Sequence, residues 1–175
     1  MMRDWQIAPR TRRVAQYGLL CAVALIAAAL EQLMPTAWIG VPGAKPGISN
    51  VVVLTAAELC GPGAAFSVIA VKAVFALATR GVTAAMMSFS GGVLSGTVML
   101  LLLRSHRFGT VGLSIAGAVA HNWAQVTVAS VLLSADFGVY LPVLMGLALI
   151  SGTLTGLLYG VLRPRLMHLQ TDARP

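Results

Sequence analysis

The sequence predicts an all-α integral membrane protein, built as a compact bundle of six transmembrane helices. Three observations support this fold class: 58% of the residues are hydrophobic, only 10% are charged, and the hydrophobic residues form six runs. A soluble domain carries roughly 25% charged residues, so this chain has too few to cover a water-facing surface. Polar and apolar residues do not alternate along the runs, which excludes a membrane β-barrel. The composition also excludes an ordinary soluble enzyme and a disordered chain.

The six apolar runs differ in length. The first, 14–34, ends at Pro35 and is too long for the ~7–15-residue apolar region of a signal peptide. The next two flank the break at 61–63 and are short against the ~20 residues that cross a bilayer. They are interpreted either as two full spans or as a re-entrant hairpin. The five later runs are 47–60, 64–79, 82–103, 111–135 and 139–162. One membrane domain, 14–162, is therefore expected between a basic N-terminal tail, 1–13, and a basic C-terminal tail, 163–175.

The positive charges predict the orientation of the bundle. With six spans, nine arginines fall on one side: Arg3, Arg10, Arg12, Arg13, Arg104, Arg107, Arg163, Arg165 and Arg174. The other side holds only Lys45 and Arg80. The positive-inside rule then places both termini in the cytoplasm, and we expect a multi-pass protein of a bacterial inner membrane. Because the basic residues flank apolar runs instead of clustering on one face, the net charge of +7 does not indicate nucleic-acid binding.

Small residues at helical spacing indicate close helix packing. Such residues recur in the first, fourth and sixth predicted helices: Ala24, Ala28, Gly92, Gly96, Gly152, Gly156 and Gly160. Packing within the chain is the preferred interpretation over a dimer interface. Cys21 and Cys60 lack metal-ligand spacing, so no metal site is expected.

Charged residues inside the runs are candidate ligand-binding residues, because a buried polar group in a span is costly. Lys72 lies in the middle of the third run, where a lysine costs ~2.5–3.5 kcal/mol on insertion scales. Either an ion pair with Glu31 or Glu58 or an anionic ligand would compensate this cost, and the sequence leaves both open. Glu31, near the outer end of the first helix, remains a candidate. Glu58, near the inner end of the second, is interpreted as a rim residue.

The fifth predicted helix carries three polar residues within five positions. His121 and Gln125 are one turn apart and share a face, with Asn122 at its margin. They line either a helix seam or a cavity, and three together favour the cavity. Ser90 in the fourth helix is a weaker candidate, since a serine can bond to its own helix.

The loop 41–50 contains two prolines and two glycines, which indicates a compact turn above the bundle. Lys45 is its only charge, and Asn50 can cap the second helix. With the N-terminus inside, the candidates converge on the outer half of the membrane. They predict an outward cavity for a small anionic or polar ligand. The candidate ligand-binding residues are Lys45, Asn50, Lys72, Ser90, His121, Asn122, Gln125 and Glu31.

Three strings in order resemble a known family: Pro-Gly-Ala-Lys-Pro-Gly-Ile-Ser-Asn at 42–50, Ser-Phe-Ser-Gly-Gly at 88–92 and Gly-Ala-Val-Ala-His-Asn-Trp-Ala-Gln at 117–125. The chain resembles the Gx transporter family, often named heptaprenyl diphosphate synthase component I, from about 14 to 162. That family is similar to substrate-binding S components of energy-coupling factor transporters. The resemblance implies an S-component-like six-helix fold, a pocket capped by the first loop, and coupling and ATPase subunits as partners. It also implies that an Ala-x-x-x-Ala stripe, matched by Ala24 and Ala28, docks the coupling subunit.

Catalysis by this chain is not expected. Prenyl diphosphate synthases hold magnesium with paired aspartate-rich motifs. Here the three aspartates Asp4, Asp136 and Asp172 are isolated, and there is no P-loop. We therefore expect no catalytic residue, cofactor or metal.

Two function classes remain. The first is a transporter, or its substrate-capturing subunit, for a small polar or anionic molecule of the vitamin or cofactor-precursor class. The second is a non-catalytic membrane partner in prenyl diphosphate, quinone or flavin-linked electron-transfer metabolism. The first predicts a wet pocket containing Lys72, and the second a lateral apolar opening between helices. The convergence of polar residues favours the first.

Overall fold

A computed structural model describes residues 9–33, 47–134 and 138–171 of the chain. Within these ranges the protein is entirely helical, with six α-helices, one short 3₁₀ turn at Gly138–Tyr140 and no strand. The helices are α1 Pro9–Leu33, α2 Ile48–Cys60, α3 Pro62–Arg80, α4 Val82–Ser105, α5 Thr110–Leu133 and α6 Leu141–Thr171. The all-α fold class and the six predicted helices are confirmed for this part of the chain. Both α1 and α6 extend beyond the apolar runs, into the predicted tails.

Single glycines separate helix α2 from α3 and helix α3 from α4. Gly61 and Gly81 have φ of 88° and 86°, a conformation that strains residues with a Cβ atom. Pro62 follows Gly61 at the start of α3, where its missing N–H is tolerated. Asn50 and Lys72, equally far in sequence from Gly61, are hydrogen-bonded to each other. The segment around Gly61 is therefore an antiparallel helical hairpin.

The remaining helices also alternate in direction. A hydrogen bond from Ser49 to Glu31 joins the start of α2 to the end of α1, and Gly156 of α6 lies against Val111 of α5. As a result, the start of α1 and the end of α6 lie at one end of the bundle. We name this end the basic end. It carries the arginines of the described helix ends and of the α4–α5 connection: Arg13, Arg104, Arg107, Arg163 and Arg165. Arg80 lies at the opposite end.

Helix α2 is the centre of the bundle. It contacts each of the other five helices, and every residue from 51 to 57 is buried. A helix that is apolar on all sides is stable only when it is surrounded in this way. Its 13 residues extend over about 20 Å, less than the ~30 Å hydrocarbon core of a bilayer. The sequence left open whether residues 47–79 form two full spans or a re-entrant hairpin. The structure has two helices there, and α2 is too short to cross a bilayer unaided.

The outer surface of the bundle is apolar. Four helical segments are long and apolar enough to cross a membrane: Arg13–Leu33, Pro62–Arg80, Val82–Ser105 and Gly138–Met167. Helix α5 is as long as α4, but its three polar residues interrupt its apolar sequence. Large apolar side chains such as Leu154, Leu157 and Val161 face outward on α6. Exposed apolar surface on this scale is typical of contact with lipid, so the chain is a membrane protein. That all six helices cross the membrane remains a prediction.

The glycines singled out in the sequence lie at contacts between helices of the chain. A Cβ atom at Gly156 would lie 2.5 Å from Val111 Cα, and one at Gly152 would lie 2.7 Å from Ile115 Cα. Helices α5 and α6 therefore pack backbone against backbone. Gly92 and Gly96 receive the side chain of Ile69 from α3, and Gly160 faces Thr110.

The alanine pair of α1 also faces the interior. Ala24 is 0% exposed and Ala28 is 8% exposed, so the chain's own helices cover both. The docking of a coupling subunit that the resemblance implied therefore cannot use this pair as a surface stripe. The spacing was right for close packing, but spacing along a helix does not reveal which face meets the core.

Candidate functional site

A cavity lies at the end of the bundle opposite the basic end. It contains about 610 Å³ of empty space, including its open mouth, and all six helices contribute to its wall. We name it the Lys72 cavity. The structure brings six of the predicted ligand-binding residues together there: Glu31, Asn50, Lys72, His121, Asn122 and Gln125.

Lys72 is the buried cation of this cavity. It is 8% exposed, and its Nζ donates a hydrogen bond to Asn50 Oδ1 at 3.3 Å. An ammonium group has three N–H donors, so one neutral amide oxygen leaves it under-satisfied. The only salt bridge among the described residues lies elsewhere. The ion pair with Glu31 or Glu58 that the sequence left open is therefore absent from the described structure.

Glu31 is buried close by, but its oxygens have other partners. Its Oε1 accepts a hydrogen bond from the Ser49 backbone N–H at 2.8 Å, and its Oε2 accepts one from the Ser49 hydroxyl at 3.1 Å. A carboxylate at a helix N-terminus is favoured by the free N–H groups and the helix dipole. Its charge still acts on Lys72 and on Arg80. With two cations and one carboxylate among the described residues of its wall, that part of the cavity carries a net positive charge.

Helix α5 supplies the opposite wall. Asn122 Nδ2 donates to the Leu144 carbonyl at 2.9 Å, which ties α5 to α6. His121 and Gln125 lie against Gly91 of α4, where a Cβ atom would be 2.8 Å from His121 Cε1 and 3.1 Å from Gln125 Cγ. The backbone of α4 stays helical at Gly91. The glycine therefore acts by making room for the two polar side chains, and the helix does not unwind.

Two predicted residues are not brought into the cavity. Ser90 is not among its lining residues, and its Oγ donates to the Met87 carbonyl of its own helix at 3.2 Å. Ser88 lines the cavity in its place. Successive helical residues are about 100° apart, so these two serines face in nearly opposite directions. Lys45 lies outside the described residues.

The sequence interpretation missed other wall residues, including Phe75 and Arg80 of α3. Arg80 was used only to predict orientation. A signal was present, because Phe75 and Arg80, three and eight residues from Lys72, each lie within about 80° of it around the helix. Applying that spacing outward from Lys72 would have found both.

A second cavity lies at the basic end and is named the Glu58 cavity. It contains about 550 Å³ of empty space, again including its open part. Glu58 accepts hydrogen bonds from the Tyr159 hydroxyl and, at 2.8 Å, from Arg163 Nε. The side chain of Glu58 is only 9% exposed, so it is not the rim residue that the sequence suggested. His106 and Thr110 complete the polar wall.

The family model described as heptaprenyl diphosphate synthase component I matches residues 20–162. The chain belongs to this family. The resemblance drawn from the three strings is thereby confirmed, and the match includes every described residue that lines either cavity except Arg163. No curated protein and no solved structure matches the chain significantly. Within the described residues, no group of three or more His, Cys, Asp or Glu could hold a metal ion.

Proposed function

We propose that the chain is a membrane transporter, or the substrate-capturing membrane subunit of one, that binds a small anionic solute in the Lys72 cavity. The observation that carries this proposal is Lys72 itself, a buried ammonium group whose described hydrogen-bond partner is one neutral amide. Holding a lysine at that depth costs ~2.5–3.5 kcal/mol on insertion scales, and buried charges of this kind mark ligand sites by default. An anionic group would supply the missing acceptors.

The charge of the cavity supports an anion over a neutral molecule. Glu31 directs both carboxylate oxygens to Ser49, and its single negative charge is outnumbered by the two positive charges of Lys72 and Arg80. His121 and Gln125 add neutral hydrogen-bonding groups for the body of the solute. A few convergent polar groups in a concave site are what small-molecule recognition requires. Vitamins and cofactor precursors combine such an anionic group with a polar body.

The proposed orientation follows from the basic end. If the positive-inside rule holds, the basic end and both termini face the cytoplasm, and the Lys72 cavity opens outside a bacterial inner membrane. A capture subunit would work with coupling and ATPase subunits, whereas an independent carrier would use a gradient.

The family description supports a second candidate. It names a component of a heptaprenyl diphosphate synthase, which favours a non-catalytic membrane partner in prenyl diphosphate, quinone or flavin-linked electron-transfer metabolism. That role calls for an apolar opening toward lipid. The polar wall of the Lys72 cavity favours the transporter.

Ligand retention tests the proposal. Protein in lipid nanodiscs is incubated with a small-molecule cell extract and washed, and the retained compounds are identified by mass spectrometry. We expect a water-soluble anion, and we expect Lys72→Met to lower its retention about tenfold or more, because a hydrogen bond to a charged group contributes ~1.5–3 kcal/mol. His121→Ala and Gln125→Ala each remove a neutral bond of ~0.5–1.5 kcal/mol and should weaken retention several-fold.

The matched control is Arg165→Met, which removes an exposed cation at the basic end and should retain the wild-type amount. Equal retention by Lys72→Met would contradict the proposal. Retention of a prenyl lipid in place of a polar anion would favour the second candidate.

A further inference from the structure

Four helices contribute to the walls of both cavities. Helices α2, α4, α5 and α6 each contribute a residue to the Lys72 cavity, namely Asn50, Ser88, His121 and Ser151. The same helices each contribute a residue to the Glu58 cavity, namely Glu58, Leu103, Thr110 and Tyr159. The cavities therefore lie at opposite ends of the same four helices.

The residues of the two cavities also lie on continuous helix faces. On α6, Ser151, Thr155, Tyr159 and Arg163 follow one another at intervals of four, so they form one stripe. The first lines the Lys72 cavity, and the last two line the Glu58 cavity. Thr155, between them, is buried. A line along this face of α6 thus joins the two cavities.

The layer between the cavities is thinnest at α5. On α5, the lining residues of the two cavities that lie closest to each other are Leu113 of the Glu58 cavity and Ala118 of the Lys72 cavity. They are about 7.5 Å apart along the helix axis. Along α2 and α6 the corresponding separations are about 12 Å, and along α4, from Ser88 to Leu103, the separation is about 22.5 Å. A bilayer core is ~30 Å thick, so the layer is thinner than that core at each of the four helices.

The composition of this layer is unusual for a sealed core. Ser95 and Met99 of α4 close on Gly117 of α5, where a Cβ atom would lie 2.7 Å from Met99 Sδ and 3.2 Å from Ser95 Oγ. Ser95 is 1% exposed, and its hydroxyl has no hydrogen-bond partner in the described structure. Burying an unsatisfied hydroxyl costs about 1–3 kcal/mol. Beside it, the flexible thioether of Met99 can change rotamer more easily than a branched side chain.

We propose that the two cavities are the two ends of one permeation pathway, closed at the layer of Ser95, Met99 and Gly117. The chain would then carry the anionic solute across the membrane itself, and not only capture it. This inference rests on the proposed function and selects between its two forms. When the layer opens, the Ser95 hydroxyl meets the solute or water, which supplies the partner it lacks in the closed state. At the far end the charge of Glu58 does not repel the solute, because Arg163 pairs with it.

Side-specific labelling of single cysteines tests the pathway without a known ligand. In a background with Cys21→Ala and Cys60→Ala, one cysteine is introduced in each cavity (Ala118→Cys, Thr110→Cys) and one in the layer (Ser95→Cys). A fourth variant, Ala24→Cys, is the matched control, because Ala24 is 0% exposed and lines neither cavity. Right-side-out and inside-out vesicles are treated with sulfonatoethyl thiosulfonate, an anionic reagent that does not cross lipid.

We expect Ala118→Cys and Thr110→Cys to react from opposite sides of the membrane. Ser95→Cys should react from both sides, about ten- to a thousandfold more slowly, because open states are minor populations of ~0.1–10%. Ala24→Cys should react from neither side. Ser114→Cys repeats the test if Ser95→Cys does not fold, because Ser114 is buried on α5 between the residues that line the two cavities.

The contrary outcomes separate the two hypotheses. If Ala118→Cys and Thr110→Cys react from opposite sides but both layer cysteines stay unreactive, the pathway is wrong and a capture role stands. Labelling of Ala118→Cys and Thr110→Cys from the same side also overturns the pathway. If Ala118→Cys reacts from neither side, the Lys72 cavity is closed to solution and the proposed function fails with it.

Discussion

The two ends of the bundle each bury a carboxylate near a cation, but only one end pairs them. At the basic end, Glu58 accepts hydrogen bonds from Tyr159 and Arg163. At the opposite end, Glu31 is bound to Ser49, and Lys72 is left with an amide oxygen. At the basic end these residue types form a hydrogen-bonded cluster of Glu58, Tyr159 and Arg163, which we name the clamp. At the opposite end they leave a cation under-satisfied. The presence of a carboxylate and a cation inside a membrane protein therefore does not identify a ligand site, whereas the observation of whether the two are paired does.

The clamp at the basic end has a structural explanation. It ties the central helix α2 to α6, across 105 positions of sequence, at the point where α2 is too short to reach further. Paired, hydrogen-bonded charges are the form in which a carboxylate tolerates burial. In the part of the chain that the structure describes, no comparable arrangement explains Lys72, because the nearby carboxylate is used to cap α2.

The largest expected difference in the free energy of unfolding is between two variants, each of which removes the cation at one end of the bundle. Arg163→Met leaves Glu58 with Tyr159 as its remaining donor and should lower the free energy of unfolding by about 1–3 kcal/mol. The lower half of that range is expected, because about half of the Arg163 side chain is exposed and water can replace it. Lys72→Met removes a buried charge without a carboxylate partner and should leave stability unchanged or raised. Thermal unfolding in nanodiscs, without added solute, measures both.

An equal loss of stability in Lys72→Met, restored by adding Glu31→Gln, would show that Lys72 and Glu31 form a structural pair. The contrast between the two ends would then disappear. The binding interpretation of Lys72 would disappear with it.

A smaller effect is expected at Glu31. Glu31→Gln keeps one acceptor for Ser49 but loses the charge, and hydrogen bonds to charged groups exceed neutral ones by about 1 kcal/mol. Stability should therefore fall by about 1 kcal/mol, while retention of an anionic solute stays equal or rises, because a competing negative charge is gone. Unfolding and retention are measured on the same preparation. Weaker retention at unchanged stability would instead make Glu31 a direct ligand of the solute.

Much of this arrangement follows from the sequence. Apolar runs and their glycine and proline breaks predict the helices, since a backbone in lipid must satisfy its own hydrogen bonds. The cost of polar groups in a span predicts that Lys72, His121 and Gln125 meet, and the structure places them in one cavity. Such inferences need only local spacing and depth.

Three features could not be predicted because they depend on which faces of the helices meet. The clamp joins Glu58 to residues about a hundred positions away, and no local pattern connects them. The alanine stripe of α1 has the same spacing whether it faces lipid or core. The choice between Ser88 and Ser90 depends on the rotation of α4, which is set by the contacts of Gly91 and Gly92 with neighbouring helices.

The two serines of α4 give the smallest and most specific test. Ser88 lines the Lys72 cavity, whereas Ser90 donates to the Met87 carbonyl of its own helix. Ser88→Ala should weaken retention of the anionic solute about two- to fivefold, as expected for one neutral hydrogen bond at the lower end of ~0.5–1.5 kcal/mol. Ser90→Ala should leave retention unchanged. Both substitutions remove one hydroxyl from the same helix two positions apart, so each controls for the other. If Ser90→Ala weakens retention and Ser88→Ala does not, α4 is rotated in the bound state, and the cavity that receives the solute differs from the one described.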